Sequence, residues 1–334
     1  MKRFDYVVVG GGSAGCTVAS RLSENGEYSV ALLEAGGTHN NPLISIPFNF
    51  AFTVPKGSHN WSFETVPQPG LNGRIGYQPR GKVLGGSSSI NAMVYIRGAK
   101  EDYDNWQALG NRGWSYEDVL PFFRKAQNRQ KGANEFHGIG GPLSVSPPRS
   151  PNPLNDTFIQ AGVECQIPRN DDFNGATQEG IGFYELTQDN GRRCSTAHAY
   201  LTPAKNRENL TIFKRSIAEK VMIENGRAIA VRAKIDGRAQ IIRANKEVIL
   251  SCGAFQSPQL LLLSGIGPKS KLEEHKIDQV LELPGVGENL TDHLDYSLIY
   301  ESDSEYCLGR NARSVFRVAM NQLQYLIFKR GVMT

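Results

Sequence analysis

The chain has 334 residues, 40% of them hydrophobic, which is enough for two modest domains or one large α/β unit. Its formal net charge of +4 is small and comes from scattered lysines and arginines, which argues against a nucleic-acid-binding protein. No apolar run reaches the length of a membrane span, and the five cysteines show no CxxC pair or zinc-ligand spacing, so we expect free thiols and no metal site.

The amino-terminal segment predicts a β-α-β unit. Residues 4–9 form a β-rich run that ends in glycine, as buried parallel strands do. Residues 14–24 predict a helix, because apolar residues recur on one face at i, i+4 spacing. Residues 29–33 predict a second strand, which ends at Glu34.

The middle of the chain is less regular. Residues 36–80 are rich in glycine, proline and asparagine and predict irregular covering structure. Residues 101–125 predict two helices on either side of a turn at Gly113. We expect residues 130–200 to be loop-rich, with short strands.

A strand-rich stretch follows at residues 210–250, with predicted hairpin turns at 224–226 and 236–237. After it, Ser257 and Pro258 have the residue types of an N-cap and a first helical position, so we expect a helix to begin there.

The first turn of the β-α-β unit has the G-x-G-x-x-G pattern of a dinucleotide-binding loop. Gly10 permits the tight turn, Gly12 lets the backbone approach a diphosphate, and Gly15 allows close packing of helix on strand. The helix N-terminus offers free N–H donors to the phosphates, and Glu34 stands where a ribose-binding acid is expected. The predicted cofactor-binding residues of this segment are Gly10, Gly12, Ser13, Ala14, Gly15, Glu34 and Ala35.

Two alternatives concern this loop. Residues 11–15 also fit G-x-S-x-G, the nucleophile elbow of α/β-hydrolases, but an elbow follows several strands, and this reading gives Gly10 and Glu34 no role. The second alternative is the identity of the dinucleotide. On local grounds NAD and FAD both fit, and we find no convincing second G-x-G-x-x-G loop.

Three longer segments resemble the glucose–methanol–choline (GMC) oxidoreductase family. Residues 81–98 resemble the first family signature, residues 253–267 match the second, and residues 287–293 look like the turn that follows it. The similarity covers the whole chain and is closest to the bacterial choline dehydrogenase and acceptor-dependent alcohol dehydrogenase branch.

The resemblance implies an α/β fold: a Rossmann-like FAD-binding domain with a partial, interleaved α+β substrate-binding region. Residues 1–298 would be the FAD-binding region, with substrate-domain segments inserted around 40–75 and 100–200, and residues 299–334 would begin the substrate-binding region. By carry-over, further FAD contacts are expected at Val83, Gly86, Ser87, Asn91, Ala92, Met93, Val94 and Val221. Ile90 stands where some relatives carry a flavin-linking histidine, so we expect non-covalent FAD.

The resemblance also implies a reaction. Family members oxidise an alcohol by hydride transfer to flavin N5, while a histidine paired with a histidine or asparagine takes the hydroxyl proton. No histidine of this chain matches that base, so we expect the catalytic pair to be missing and the chain to be inactive; a non-catalytic FAD- or nucleotide-binding fragment is the alternative. The expected partners are a small alcohol and a quinone-type acceptor or oxygen. We expect a cytoplasmic protein, with association with the inner face of the membrane left open.

Overall fold

The computed structural model of the chain describes residues 2–55, 57, 59–293, 297–302, 304, 306–307, 312–331 and 333–334, and gives residues 312–319 by their backbone alone. The chain forms two compact units, each assembled from three separate stretches of sequence. The first unit comprises Met1–Asn41, Phe52–Ile90 and Ser195–Ser297. The second unit comprises Pro42–Ala51, Asn91–Cys194 and Leu298–Thr334.

A six-stranded mixed sheet forms the centre of the first unit. Its strands, in chain order, are β1 (Lys2–Val9), β2 (Val30–Leu33), β3 (Leu210–Phe213), β4 (Ser216–Glu224), β5 (Arg227–Ile235) and β6 (Arg238–Leu250). Across the sheet the order is β4-β5-β6-β1-β2-β3. The four strands from β6 to β3 run parallel, and β4, β5 and β6 form an antiparallel meander.

The predicted β-α-β unit is confirmed. Its strands β1 and β2 pair in parallel, with Val7 opposite Ala31 and Val9 opposite Leu33. All four residues of β2 are buried, as expected for a strand covered on both faces. The intervening helix runs from Ser13 to Leu22 and packs Cys16 and Ala19 into the core formed with β2.

The two predicted hairpin turns are also present. Asn225 and Gly226 have φ values of 52° and 75°, and Asp236 and Gly237 have values of 45° and 82°. Two successive residues with positive φ are typical of the tight turns whose twist matches that of antiparallel strands. These turns join β4 to β5 and β5 to β6.

The prediction that a helix begins at Ser257-Pro258 was wrong. The helix runs from Gly253 to Leu263, so Pro258 lies in its interior. The Ser257 hydroxyl accepts a bond from the N–H of Cys252, the residue just before the helix, at 3.1 Å. Ser257 therefore contributes to the start of the helix from inside it. Its resemblance to an N-cap came from its residue type and from the proline that follows it.

The second unit contains most of the longer helices of the chain. They are Lys100–Ala108, Tyr116–Ala126, Pro153–Glu164 and Ala312–Phe328. The first two confirm the prediction for residues 101–125. The third was missed in a region expected to be loop-rich: Asn152 caps it by accepting from the N–H of Leu154 at 3.0 Å, and Pro153 occupies its first turn.

Short elements complete both units. The two-stranded pairs are Phe63–Glu64 with Tyr77–Gln78, Gln127–Arg129 with Leu143–Val145, Gln188–Asp189 with Arg192–Arg193, and Ile266–Gly267 with Leu281–Glu282. The short helical segments are Pro42–Ser45, Pro47–Asn49, Phe50–Thr53, Pro69–Leu71, Gly86–Ser89, Ala197–Leu201, Thr202–Ala204 and Lys269–Glu274. Within the described ranges, no helix has the length and apolar character needed to cross a membrane.

Candidate cofactor site

A cavity of about 570 Å³ lies in the first unit, where three parallel strands end. Val9, Leu33 and Leu250, the last residues of β1, β2 and β6, contribute to its wall. Open parallel sheets bind ligands beyond the carboxyl ends of their strands, and the volume falls in the usual range for cofactor sites.

Two helices begin at this cavity. The helix Ser13–Leu22 presents Gly12, Ser13 and Ala14, and the helix Gly253–Leu263 presents Gly253 and Ala254. Among the described residues, neither helix start receives a capping bond from its own N-cap side chain. Their first N–H groups and positive dipole ends are therefore suited to an anionic ligand such as a diphosphate.

Glycine is required where the backbone segments around the cavity touch. A Cβ on Gly15 would collide with the carbonyl oxygen of Gly10, which explains the close packing of helix on strand. A Cβ on Gly86 would lie 2.7 Å from the Cα of Gly12, and Gly86 also has a φ of 53°. The segment Gly86–Ser89, here called the serine-rich loop, therefore meets the dinucleotide turn at residues 10–15 backbone to backbone.

Glu34 is buried at the end of β2, with 6% of its surface exposed. One carboxylate oxygen accepts the N–H of Gly11 at 2.8 Å, and the other accepts the N–H of Gly36 at 2.7 Å. Burial raises the pKa of Glu34 to about 7, although both backbone bonds and the charge of Lys82 act in the opposite direction. Each carboxylate oxygen keeps a second lone pair, with which it can accept from a ribose hydroxyl.

The structure brings together more than half of the residues predicted to bind the cofactor. Those that line the cavity are Gly10, Gly12, Ser13, Ala14, Glu34, Ala35, Gly86 and Ser87. Gly15, Val83 and Val221 belong to the same unit but are buried outside the lining. Val221 lies on β4, the strand that lines the cavity with its first residues, 216–218, and its N–H donates to the Ser264 hydroxyl at 2.8 Å.

The remaining predicted contacts, Asn91, Ala92, Met93 and Val94, belong to the second unit. The Asn91 side-chain oxygen accepts the N–H of Met93 at 3.1 Å and the guanidinium of Arg193 at 2.9 Å. Met93 is buried and has a φ of 64°, so this turn holds a strained backbone. The assignment of these four residues to the flavin stays a prediction.

Sequence analysis missed several lining residues, notably Trp61, Arg80 and Phe255. The isolated aromatic residues of 36–80 and the arginine directly before the first signature were the available signals. The nucleophile-elbow alternative finds no support here, because no histidine is present in the lining among the described residues.

These features define a dinucleotide-binding α/β protein in which a single cavity joins the G-x-G-x-x-G turn to a serine-rich loop. The GMC oxidoreductase family model matches residues 4–295, and the chain belongs to that family. The match confirms the resemblance of residues 81–98, 253–267 and 287–293.

Curated relatives include the oxygen-dependent choline dehydrogenase of Sinorhizobium medicae, 44% identical over 98% of this chain and 59% of the relative. The protein of the same description from Photobacterium profundum is 47% identical over 89% of this chain and 53% of the relative. This chain thus spans less than two thirds of the length of these relatives.

Solved structures agree with the fold. An FAD-dependent oxidoreductase from Chaetomium thermophilum is 29% identical, with a TM-score of 0.87. The match covers 99% of this chain and 59% of the oxidoreductase chain. A pyridoxine 4-oxidase from Mesorbium loti is 34% identical, with a TM-score of 0.80. The match covers 84% of this chain and 55% of the oxidase chain. The family and these neighbours agree with FAD as the cofactor and with the predicted Rossmann-like fold.

Proposed function

We propose that this chain forms the FAD-binding part of an enzyme that oxidises an alcohol, with choline or a primary alcohol as the substrate and the aldehyde as the product. The observation that carries the proposal is the contact of Gly86 with Gly12, which joins the first family signature to the dinucleotide turn at one cavity. The choline dehydrogenases among the relatives support the substrate class.

In this proposal the two helix starts hold the diphosphate of non-covalent FAD, and Glu34 accepts from the adenosine ribose. Bound FAD would supply the hydride acceptor for the carbinol carbon. Gly12 would let the backbone approach the diphosphate, and Gly86 lets its loop approach Gly12, because a Cβ on Gly86 would lie 2.7 Å from the Cα of Gly12. We place residues 1–298 in the FAD-binding region, with substrate-domain segments inserted around 40–75 and 100–200, and residues 299–334 at the start of the substrate-binding region.

The proton-accepting base of the family is not assigned to any residue of this chain. His137, the most buried histidine, bonds Gln127 and Asp172 in the second unit, and so has a structural explanation. We therefore assign only the cofactor half of the reaction to residues 1–334. The electron acceptor would be oxygen or a quinone, and the location would be the cytoplasm or the inner face of a membrane.

The cofactor assignment is tested by titrating FAD into the purified chain and following the quenching of flavin fluorescence. We expect saturable binding that NAD does not compete away. A chain that is folded by circular dichroism but leaves FAD fluorescence unchanged up to millimolar protein would overturn the proposal.

The catalytic assignment is tested by incubating the FAD-loaded chain with choline or ethanol and a dye acceptor. We expect no dye reduction above the rate with FAD alone, because we assign the family's base to no residue of this chain. Turnover would show that a residue of this chain serves as base. FAD binding without turnover would mean that this chain provides only the cofactor half of the alcohol oxidation, or that it is a non-catalytic flavin-binding fragment.

A further inference from the structure

Arg80 is distinguished from the other lining residues of the cavity by its charge. Of the described side chains in the lining, Glu34 is the only carboxylic acid and Arg80 is the only base. Glu34 already accepts two backbone N–H groups, which fixes it at the end of β2. Arg80 is therefore the single cation of this lining, in a cavity where two helix starts also favour an anion.

The position of Arg80 is fixed from both sides. Its N–H donates to the Asn60 side-chain oxygen at 2.9 Å, and its carbonyl accepts the N–H of Trp61 at 2.8 Å. Its guanidinium lies over the ring of Phe255, 4.3 Å from the centroid. An arginine held over an aromatic face loses little freedom when it binds a ligand.

The guanidinium retains donors for a ligand. It gives one bond to the carbonyl of Pro79 at 2.7 Å and one to the side-chain oxygen of Gln78 at 3.3 Å, and a guanidinium has five donors. Both acceptors are neutral, and within the described ranges no carboxylate forms a salt bridge with Arg80. Its charge is thus not neutralised by the protein.

Chain connectivity places Arg80 beside the glycine contact described above. The next residue, Gly81, donates its N–H to the Ser87 hydroxyl at 3.2 Å, and Ser87 follows Gly86, which touches Gly12. Phe255 lies in the first turn of the helix Gly253–Leu263. Arg80 thus directly precedes a residue that is hydrogen-bonded to the serine-rich loop. Phe255, the ring beneath its guanidinium, belongs to the start of the second helix.

We propose that Arg80, stacked on Phe255, is the positioning cation that pairs with the diphosphate of the bound dinucleotide. This inference rests on the proposed function, and it adds a charged side chain to the backbone N–H donors of the two helix starts. Arginine can bind two phosphate oxygens at once through parallel N–H bonds, so the pair also fixes the orientation of the diphosphate.

The test compares the affinities of wild type and Arg80→Gln for three probes: FAD, ADP and riboflavin. We expect Arg80→Gln to weaken FAD and ADP binding by about ten- to hundredfold, the usual loss for a charged hydrogen bond, and to leave riboflavin affinity unchanged. The dependence of FAD affinity on salt should also become shallower. Arg74→Gln, an exposed arginine outside the lining with the same charge change, should match wild type.

Two further variants keep the test decisive if Arg80→Gln does not fold. Arg80→Lys retains the charge without the planar fork and should lose part of the FAD affinity, while Phe255→Leu should lose about two- to fivefold. If wild type binds FAD, and Arg80→Lys and Phe255→Leu bind it with the same affinity as wild type, the role of Arg80 is overturned and the FAD site is left intact. Absence of FAD binding by folded wild-type protein would instead overturn the proposed function.

Discussion

At the scale of single residues, Glu34 makes the stability of the folded chain depend on pH. Its pKa is raised from 4.5 to about 7 by burial, so the folded protein binds this proton more tightly than the unfolded chain does. The resulting stabilisation is fully present below about pH 4.5 and is lost as the pH rises through about 7. The full loss is about 3 kcal/mol, from ~1.4 kcal/mol per pKa unit.

We predict that Glu34→Gln removes this pH dependence, because an amide stays neutral throughout. Urea unfolding of the FAD-free protein at about pH 4.5 and about pH 8 measures it: the free energy of unfolding of wild type relative to the variant should fall by about 3 kcal/mol between the two. An unchanged difference at both pH values would mean that Glu34 is ionised in the folded state over the whole range.

Gly86 gives a second prediction at this scale. Gly86→Ala places an alanine at a positive φ, where it is strained, and adds a Cβ that would lie 2.7 Å from the Cα of Gly12. The serine-rich loop and the dinucleotide turn must therefore separate. Gly226→Ala is the matched control, since its φ is 75° and nothing lies within 4 Å of its Cβ. We expect both to lose about 1 kcal/mol of stability through strain, but only Gly86→Ala to lose FAD affinity, by about tenfold or more, measured by fluorescence titration.

At the scale of elements, buried polar side chains connect separate segments of the second unit. Arg129, on the strand Gln127–Arg129, donates to Glu185 at 2.9 Å and to Asp172 at 3.1 Å. The fully buried His137 bonds Asp172 at 2.8 Å. Burial of Asp172 would raise its pKa, but the hydrogen bond from His137 and the charges of His137 and Arg129 outweigh this and hold the pKa below its usual value.

We predict that His137→Ala destabilises the second unit by about 2–4 kcal/mol, because it opens a cavity and removes one hydrogen-bond partner each from Gln127 and Asp172. Urea unfolding at neutral pH measures the change. His275→Ala, at an exposed position, serves as the control and should stay within about 0.5 kcal/mol of wild type. Equal effects of the two substitutions would contradict the structural role of His137.

The sequence predicted those elements whose signals are local. The glycine loop, the β-α-β unit and the turns at Asn225-Gly226 and Asp236-Gly237 are specified by residues a few positions apart. The helix Pro153–Glu164 was missed because its Asn and Pro cap residues also occur in loops. Pro258 was misplaced because it lies inside a helix, where proline is usually excluded.

For the candidate site, the same division holds between local and long-range information. The loop glycines and Glu34 follow from spacing along the chain, and they line the cavity. Trp61, Arg80 and Phe255 reach it only because distant segments fold together, and no periodicity marks them. Their place in the cavity wall is visible only in three dimensions, where Arg80 also lies over the ring of Phe255.

At the scale of the whole molecule, FAD should stabilise the chain unevenly. All residues lining the 570 Å³ cavity belong to the first unit. We predict that saturating FAD slows amide hydrogen exchange most strongly in residues 10–15, 81–89 and 251–257. Peptides from 127–145 act as the internal control and should change little. Protection confined to the second unit would contradict the placement of the site.

The sheet order has a consequence for synthesis. Strand β1 lies between β2 and β6, and Val9 pairs with both Leu33 and Leu250. One edge of the earliest strand therefore waits for residue 250 to leave the ribosome, which takes roughly ten to fifty seconds at ordinary elongation rates. During that interval a nascent chain exposes unpaired valines, so its yield in the cell should depend on chaperones that bind apolar strands.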